Sequence, residues 1–494
     1  MKKTRFAWVA AALFSGVAQA APATQFKEAF DGIGHMLVVP YYTVQSGNAT
    51  LLNIVNTDQL HGKAVKVRFR GASNADDVFN FTLFLSPGDV WAAEVSQNPA
   101  TGLARLSTPD NSCTLPTQVG ADFNTARLNP SADLPNETRE GYVEIITLAD
   151  LVPGTAVYTA TKHAKGVPPA NCSQGAAVPV ALQALGTVDG IQAAGLGAPT
   201  TGLFANWSIF NVAEATSWSG KANAIVAVDG DSKPGAGQMV MFPQNGDVPA
   251  NATSDVTADP LLRSGAVAIR HSDLPDLSTP SIGQTTPAQQ AALLSGVLAK
   301  ASVQNEFFTD DRVQAQTDWV FSLPTRRYSV ALNYATGLRE FTVLSPAYFN
   351  DGNTLLEGSP AARKVCHAMS TALFRDRSEQ LKDLNDPDTA WWWGPYGPFG
   401  LVSRMCGSVF VMSINAGDEF WPSSLAGATS RKNIEVGYVD GWGEMSFTGV
   451  NPAGIPLVGT AFSKAASTNI GAGISGNFGL AWEHRYTRPG EVVR

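Results

Sequence analysis

Residues 63–71, KAVKVRFRG, constrain the fold more than any other stretch of this chain. Val65, Val67 and Phe69 take one parity, and Lys66, Arg68 and Arg70 take the other. Side chains alternate across a strand, so a period of two specifies a strand with one apolar and one charged face, not an amphipathic helix. Similar segments recur. HMLVVPYYTV (35–44) leads into ATLLNIVNT (49–57) across Gln45, Ser46, Gly47 and Asn48. NFTLFL (80–85) meets the turn cluster Ser86, Pro87, Gly88 and Asp89, and VWAAEV (90–95) follows. GYVEIITLA (141–149), LFANWSIFNV (203–212) and ANAIVAV (222–228) continue the pattern. The spacing is that of hairpins, with turn residues between the runs. The expected class is all-β: two antiparallel β-sandwich-like regions joined by a loop-rich segment with few short helices.

The first β region is placed at 21–245. Residues 246–305 form the expected junction, within a stretch rich in Asp, Pro, Gly, Ser and Thr that begins near 229. One helix is expected there: Thr286 and Pro287 can start it, and Leu293, Leu294, Val297, Leu298 and Ala301 make an apolar stripe. The second β region, 306–494, resumes with DWVFSLP (318–324), RRYSVALNY (326–334), MCGSVFVMSIN (405–415), IEVGYVDGWGEMSF (434–447) and FGLAWEHRY (478–486). CHAMSTALFRDRSEQ (366–380) fits helix or strand by periodicity.

Several stretches, PYYTV (40–44), TLLNIVNTD (50–58), GKAVKVRFR (62–70), LFLSPGDVW (83–91), TDWVFSLPTRRY (317–328), IPLVGTAF (455–462) and EHRY (483–486), carry a resemblance. Together they resemble a family of exported cell-surface proteins of Gram-negative bacteria that includes surface-layer-type proteins. The resemblance implies display at the cell surface and, for some members, self-assembly into a coat. It implies no catalytic residues, and most members of that family have no assigned activity.

The first twenty residues support export. Lys2, Lys3 and Arg5 precede an apolar run from Phe6 to Phe14, and Ala18-Gln19-Ala20 closes it as a small-residue cleavage site. Residues 1–20 therefore read as a signal peptide. The run is far short of the roughly 20 residues of a membrane span. Loss of those three basic charges takes the net charge from −8 to −11. An acidic exported chain has no electrostatic footprint for nucleic acid. Cys113, Cys172, Cys366 and Cys406 are an even set, which in an exported protein implies disulfides with three connectivities open. Their spacing suggests two local bridges, Cys113–Cys172 and Cys366–Cys406.

Signatures of chemistry are sparse. G-x-S-x-G, H-E-x-x-H and the phosphate-binding G-x-x-x-x-G-K are all missing. Gly471, Gly473 and Gly476 match G-x-G-x-x-G, but a strand-like segment follows, so they read as a glycine-rich turn. The six histidines show no paired ligand spacing, and His484 reads as part of an edge-strand polar cluster. No cofactor is indicated beyond a weak case for Ca²⁺ at Asp229 and Asp231 or at Asp310 and Asp311, which lack the spacing of a calcium loop.

DTAWWWGPYGPFG (388–400) stands apart. Gly394, Pro395, Gly397, Pro398 and Gly400 forbid a regular helix or central strand, so Trp391, Trp392, Trp393, Tyr396 and Phe399 load a loop with aromatics. That loop is expected either to plug its own chain or to grip a partner. The expected function is an exported structural surface protein, not an enzyme, whose partners are copies of itself and the outer cell surface. The alternative is a carbohydrate-binding or adhesive protein that uses the 391–399 aromatics as a stacking platform.

Overall fold

The computed structural model describes residues 22–163, 169, 172, 192–237, 256–257, 268–269, 287–334, 336–341, 347–383, 404–417, 423–427, 430–471 and 474–491. Residues 1–20, expected as a signal peptide, and the aromatic-rich stretch 388–400 lie outside the described residues.

The chain is all-β, as its alternation requires. The first strands are β1 (Gln25–Glu28), β2 (Met36–Thr43), β3 (Ala49–Asn56), β4 (Gly62–Gly71), β5 (Asp77–Leu85), β6 (Val90–Gln97), β7 (Ala104–Ser107), β8 (Thr114–Leu115), β9 (Glu140–Leu151), β10 (Leu196–Gly197), β11 (Leu203–Asn211), β12 (Thr216–Lys221) and β13 (Asn223–Val228). They build an eight-stranded sheet, β1-β13-β2-β9-β4-β5-β8 with β10 beside β9, and a five-stranded sheet, β12-β11-β3-β6-β7. β4–β5 is a hairpin that the spacing predicts, whereas β5 and β6, separated by the turn cluster 86–89, are not one, because the chain changes sheets there; the β11–β12 hairpin uses a strand, 216–221, that the sequence analysis does not place. β2 and β3 are not a hairpin. The chain changes sheets between them, so β2 pairs with β13 and β9, while β3 pairs with β11 and β6. The inward residues Val65, Val67, Phe69, Leu52, Ile54, Trp91 and Trp207 share one apolar core.

Next come β14 (Val256–Thr257), β15 (Ala268–Ile269), the helix Pro287–Leu298 and β16 (Ala299–Lys300). The helix buries Leu294 and Leu298, as its stripe predicts, but ends at Leu298, so Ala301 lies beyond it. The remaining strands are β17 (Ser302–Phe308), β18 (Gln316–Ser322), β19 (Val330–Asn333), β20 (Leu338–Phe341), β21 (Thr354–Glu357), β22 (Lys364–Ala368), β23 (Thr371–Asp376), β24 (Leu381–Asp383), β25 (Arg404–Cys406), β26 (Val409–Asn415), β27 (Arg431–Glu435), β28 (Asp440–Ser446), β29 (Ile455–Pro456), β30 (Val458–Gly471), β31 (Ile474–Glu483) and β32 (Arg485–Thr487). Two five-stranded sheets dominate this half, β24-β23-β28-β17-β32 and β27-β26-β18-β30-β31. Among the described strands of this half, pairing is antiparallel except for β26 with β27. The ambiguous segment at 366–380 contributes to two strands, β22 and β23. Residues 326–328, expected to begin a strand, form a 3-10 turn instead.

The disulfides pair as the spacing suggests, Cys113 with Cys172 and Cys366 with Cys406. Each stays within one half.

The two halves are not merely strung on a linker. β18 turns Trp319 and Phe321 into the C-terminal core, while Val320, with Val409, Val411, Val458 and Phe462, joins the N-terminal core. The β18 sheet packs against β2, and β2, β4 and β9 are buried along their whole length. Lys66, Arg68 and Arg70, which the alternation assigns to the face opposite the core, are buried. Arg327, from the 3-10 turn, drives into that interface. Its Nη2 donates to Glu144 at 2.9 and 3.0 Å, and Arg70 Nε donates to the same carboxylate at 3.2 Å. Burial alone would raise the Glu144 carboxyl, but Arg327, Arg70 and Arg68 hold it below its ordinary value.

Removing one member of a buried ion pair strands the others without solvent, at about 3–5 kcal/mol. Arg327→Ala is expected to destabilise the full chain by that amount in urea unfolding. A depressed carboxyl stabilises fully above its unfolded value, near pH 4.3, and that contribution is lost as pH falls further. The wild type is therefore expected to lose stability below that pH more steeply than Glu144→Gln.

Candidate functional site

β31 is the outer strand of its sheet. Among the described residues it pairs with β30 alone, from Thr460↔Glu483 to Gly471↔Ile474, and no described strand forms a ladder on its other edge. Its two faces differ. On one, Gly479 lies against β12: a Cβ there would stand 2.1 Å from the Ser217 carbonyl oxygen and 3.1 Å from Trp218 Nε1. Only a glycine lets the hairpin approach so closely. On the other, Phe478, Leu480 and Trp482 are 55 %, 52 % and 40 % exposed. Among the described residues no other strand presents three large apolar side chains in alternation to solvent. The backbone groups of an edge strand are a template for a further strand, and natural proteins usually guard it with charge or proline. In β31 the only charge is Glu483.

A second surface lies on the outer face of the β23-β28-β17-β32 region. Trp442 stands in one row with Arg375 and Glu306, and the next row holds Leu373, Glu444, Gln304 and Arg485. The Trp442 indole is 41 % exposed. Beside it a shallow groove of about 680 Å³ is lined by Gln304, Glu306, Phe308, Arg377, Asp440 and Arg485 among others. Arg485 pairs with Glu306 and Arg377 with Asp440. The charges alternate in sign around an open aromatic face. That arrangement suits a neutral, hydroxyl-rich ring, which offers C–H bonds to the indole and hydroxyls to the paired charges.

The residues singled out in the sequence fall elsewhere. The 391–399 aromatics lie outside the described residues. Asp229 Oδ1 accepts from the backbone of Asp231 and Lys233, and Asp310 is held by Arg312 through Nε at 2.9 Å, so both carboxylates serve their own turns. His484 is no edge residue. It is buried, stacks on Phe321 at 4.6 Å, and its ring nitrogens meet Val320 O and Asn305. Burial pushes it down to about 3, so it stays neutral. Of the G-x-G-x-x-G glycines, Gly471 ends β30 and Gly476 lies within β31, a strand and not a helix, while Gly473 lies outside the described residues.

Two clusters were not visible in the sequence, because their members are scattered along it. Asp58, His61 and Asp150 converge with metal-ligand spacing, but Lys63 Nζ occupies the centre, 3.1 Å from Asp58 and 2.7 Å from Asp150. Ser86 Oγ lies 3.1 Å from His163 Nδ1, and His163 Nε2 lies 3.0 Å from Asn111. That resembles a nucleophile, base and orienter. However, Ser86 is buried and its hydroxyl is spent on Asp89 and the His163 backbone within the turn. An attacking oxygen has to face a substrate.

Comparison with protein-family models, with curated proteins and with solved structures gives no match. The geometry of β31 makes its own prediction. Gly479→Val forces a side chain into the Ser217 backbone and is expected to destabilise the fold by about 1–3 kcal/mol. Chemical denaturation measures it, and Gly476→Ala in the same strand is the comparison.

Proposed function

We propose that this chain is an exported structural protein of the cell surface, of the surface-layer type that it resembles, and that it assembles with copies of itself through β31. The observation that carries this reading is the exposed row of Phe478, Leu480 and Trp482 on β31, a nearly uncharged strand whose outer edge pairs with no other described strand. A second β31 fits it. In an antiparallel pair the backbone groups complete each other's ladder and the apolar row meets its own image, a self-complementary contact about a two-fold axis. The chain is acidic, and a contact with one charge per strand is where two such chains repel least.

Two disulfides agree with an oxidising destination. Among the described residues no helix is long and apolar enough to cross a membrane. The proposed role asks for no catalysis, and among the described residues the Ser86–His163 arrangement is enclosed in its turn. A second reading, carbohydrate binding or adhesion, is favoured by the Trp442 face. A two-fold pair closes on itself, so extension into a coat needs a further contact, and that face is open to one.

Light scattering over a concentration series, with and without Ca²⁺, tests the reading. The wild type is expected to grow in mass with concentration, and Leu480→Lys to remain a monomer with an unchanged melting temperature. A wild type that is strictly monomeric under both conditions sinks it. For the second reading, sugar-induced quenching of tryptophan fluorescence is expected in the wild type and lost in Trp442→Ala.

A further inference from the structure

The backbone of β31 has a direction as well as a face. His484 N donates to Gly459 O at 3.2 Å, one step beyond the Thr460↔Glu483 pair. In an antiparallel ladder alternate residues turn both backbone groups toward the neighbouring strand. From Thr460↔Glu483 to Ser467↔Gly476 the register runs without a shift. Phe478, Leu480 and Trp482, in step with His484, therefore turn their N–H and C=O groups toward β30. Asn477, Gly479, Ala481 and Glu483 turn theirs outward, to an edge that no described strand occupies.

The side chains divide in the same way. The Asn477 carboxamide donates to Glu214 O, a Cβ on Gly479 would meet Ser217 O, and Glu483 Oε1 lies 4.0 Å from Lys221 Nζ. That face is turned to β12 and the residue Glu214 just before it. The opposite face carries the exposed Phe478, Leu480 and Trp482. At the C-terminal end Asn305 Nδ2 reaches the carbonyls of Trp482 and Glu483 at 3.3 and 3.4 Å. The outward carbonyls with no described partner are those of Asn477, Gly479 and Ala481.

We infer that two copies join through β31 in a single register: antiparallel, with the two-fold axis through Leu480. This rests on the proposed assembly through β31 and adds its register. A parallel pair of these edges would turn one strand over and set its apolar row beside the β12-facing side of the other. An antiparallel pair keeps both rows on one face. Outward-turned residues then pair only with outward-turned residues, so the axis passes through a residue. An axis at Gly479 sets Trp482 against Gly476, and one at Ala481 sets Phe478 against the buried His484. Shifts further out lose more of the row. An axis at Leu480 sets that residue against its own image and Phe478 against the second copy's Trp482. These are non-hydrogen-bonded pairs, in which side chains approach closest. Gly479 and the second copy's Ala481 exchange the backbone hydrogen bonds. Glu483, the one charge of the strand, falls opposite the second copy's Asn477, with the two carboxylates at opposite ends of the contact.

The test is cysteine cross-linking of the full-length chain under mild oxidation, read on non-reducing gels with each link traced by peptide mapping, beside light scattering of the wild type. Leu480→Cys is expected to give a covalent dimer by itself. Phe478→Cys and Trp482→Cys are each expected to give none alone, because each stands about 13 Å from its own image, beyond the reach of a disulfide. Mixed together, the two are expected to link, and this pair decides the register if Leu480→Cys lowers the melting temperature. A wild type that gains mass with concentration, with links between Phe478→Cys and Leu480→Cys or between Leu480→Cys and Trp482→Cys instead, overturns the register and leaves assembly through β31 standing. A wild type that gains mass with no link at any of the three positions overturns the register and assembly through β31 together. A wild type that stays monomeric overturns both the register and the proposed function.

Discussion

The carboxylate of Glu144, on β9, receives guanidiniums from both halves of the chain. Arg70 reaches it from the neighbouring strand and Arg327 from a turn more than a hundred residues beyond. All three are buried. A buried ion pair adds little net stability over apolar packing, but a missing partner is costly, so such a group fixes how two surfaces dock. Here it sets the β18 sheet on the outer face of the β4 sheet. Other contacts follow from that seating: Ser408 and Val409 donate backbone hydrogens to Ala72 O, Ser322 Oγ donates to Pro40 O, and Trp218 Nε1 donates to Ser463 O.

The seating also decides which surfaces remain for function. It brings the Arg327 turn onto the charged side of β4, where Arg327 and Arg70 share Glu144. It brings the β30–β31 hairpin alongside β12, where Gly479 permits contact and the opposite face of β31 is turned outward. Phe462 on the same hairpin packs against Tyr41, Trp207 and Trp218. The exposed row on β31 is therefore presented by a rigid support. The Trp442 face lies on the other main sheet of the C-terminal half, where Asn305, between Gln304 and Glu306, donates to the Trp482 carbonyl of β31.

Strands, hairpins and the disulfide pairing were legible because each depends on local parity, turn residues and spacing. The β4–β5 hairpin and the helix Pro287–Leu298 are of this kind. The change of sheet between β2 and β3 was not, since a four-residue connection rich in turn formers looks the same whether the next strand pairs with the last or crosses to the other sheet. His484 was misplaced for a related reason. Its sequence neighbours Glu483 and Arg485 are exposed, and only the stacked Phe321 from another strand makes its position apolar. The exposed row on β31 was visible as alternating Phe478, Leu480 and Trp482, but nothing in the sequence says that this face lacks a cover.

The sequence by itself determined that this chain folds as β-sheet, where its strands turn, and that its cysteines can close two local loops, because period-two alternation and turn chemistry act over a few residues. Only the tertiary structure decided the meaning of the second face of β4. Lys66, Arg68 and Arg70 have the parity of a solvated face, and in an isolated sandwich they would be one. They are buried because a distant segment docks there with Arg327 in place, and the cost of removing charges from water is met by partners, Glu144 and Asp77, that no local pattern identifies. Alternation specifies two faces, whereas burial depends on what the rest of the chain lays over each of them.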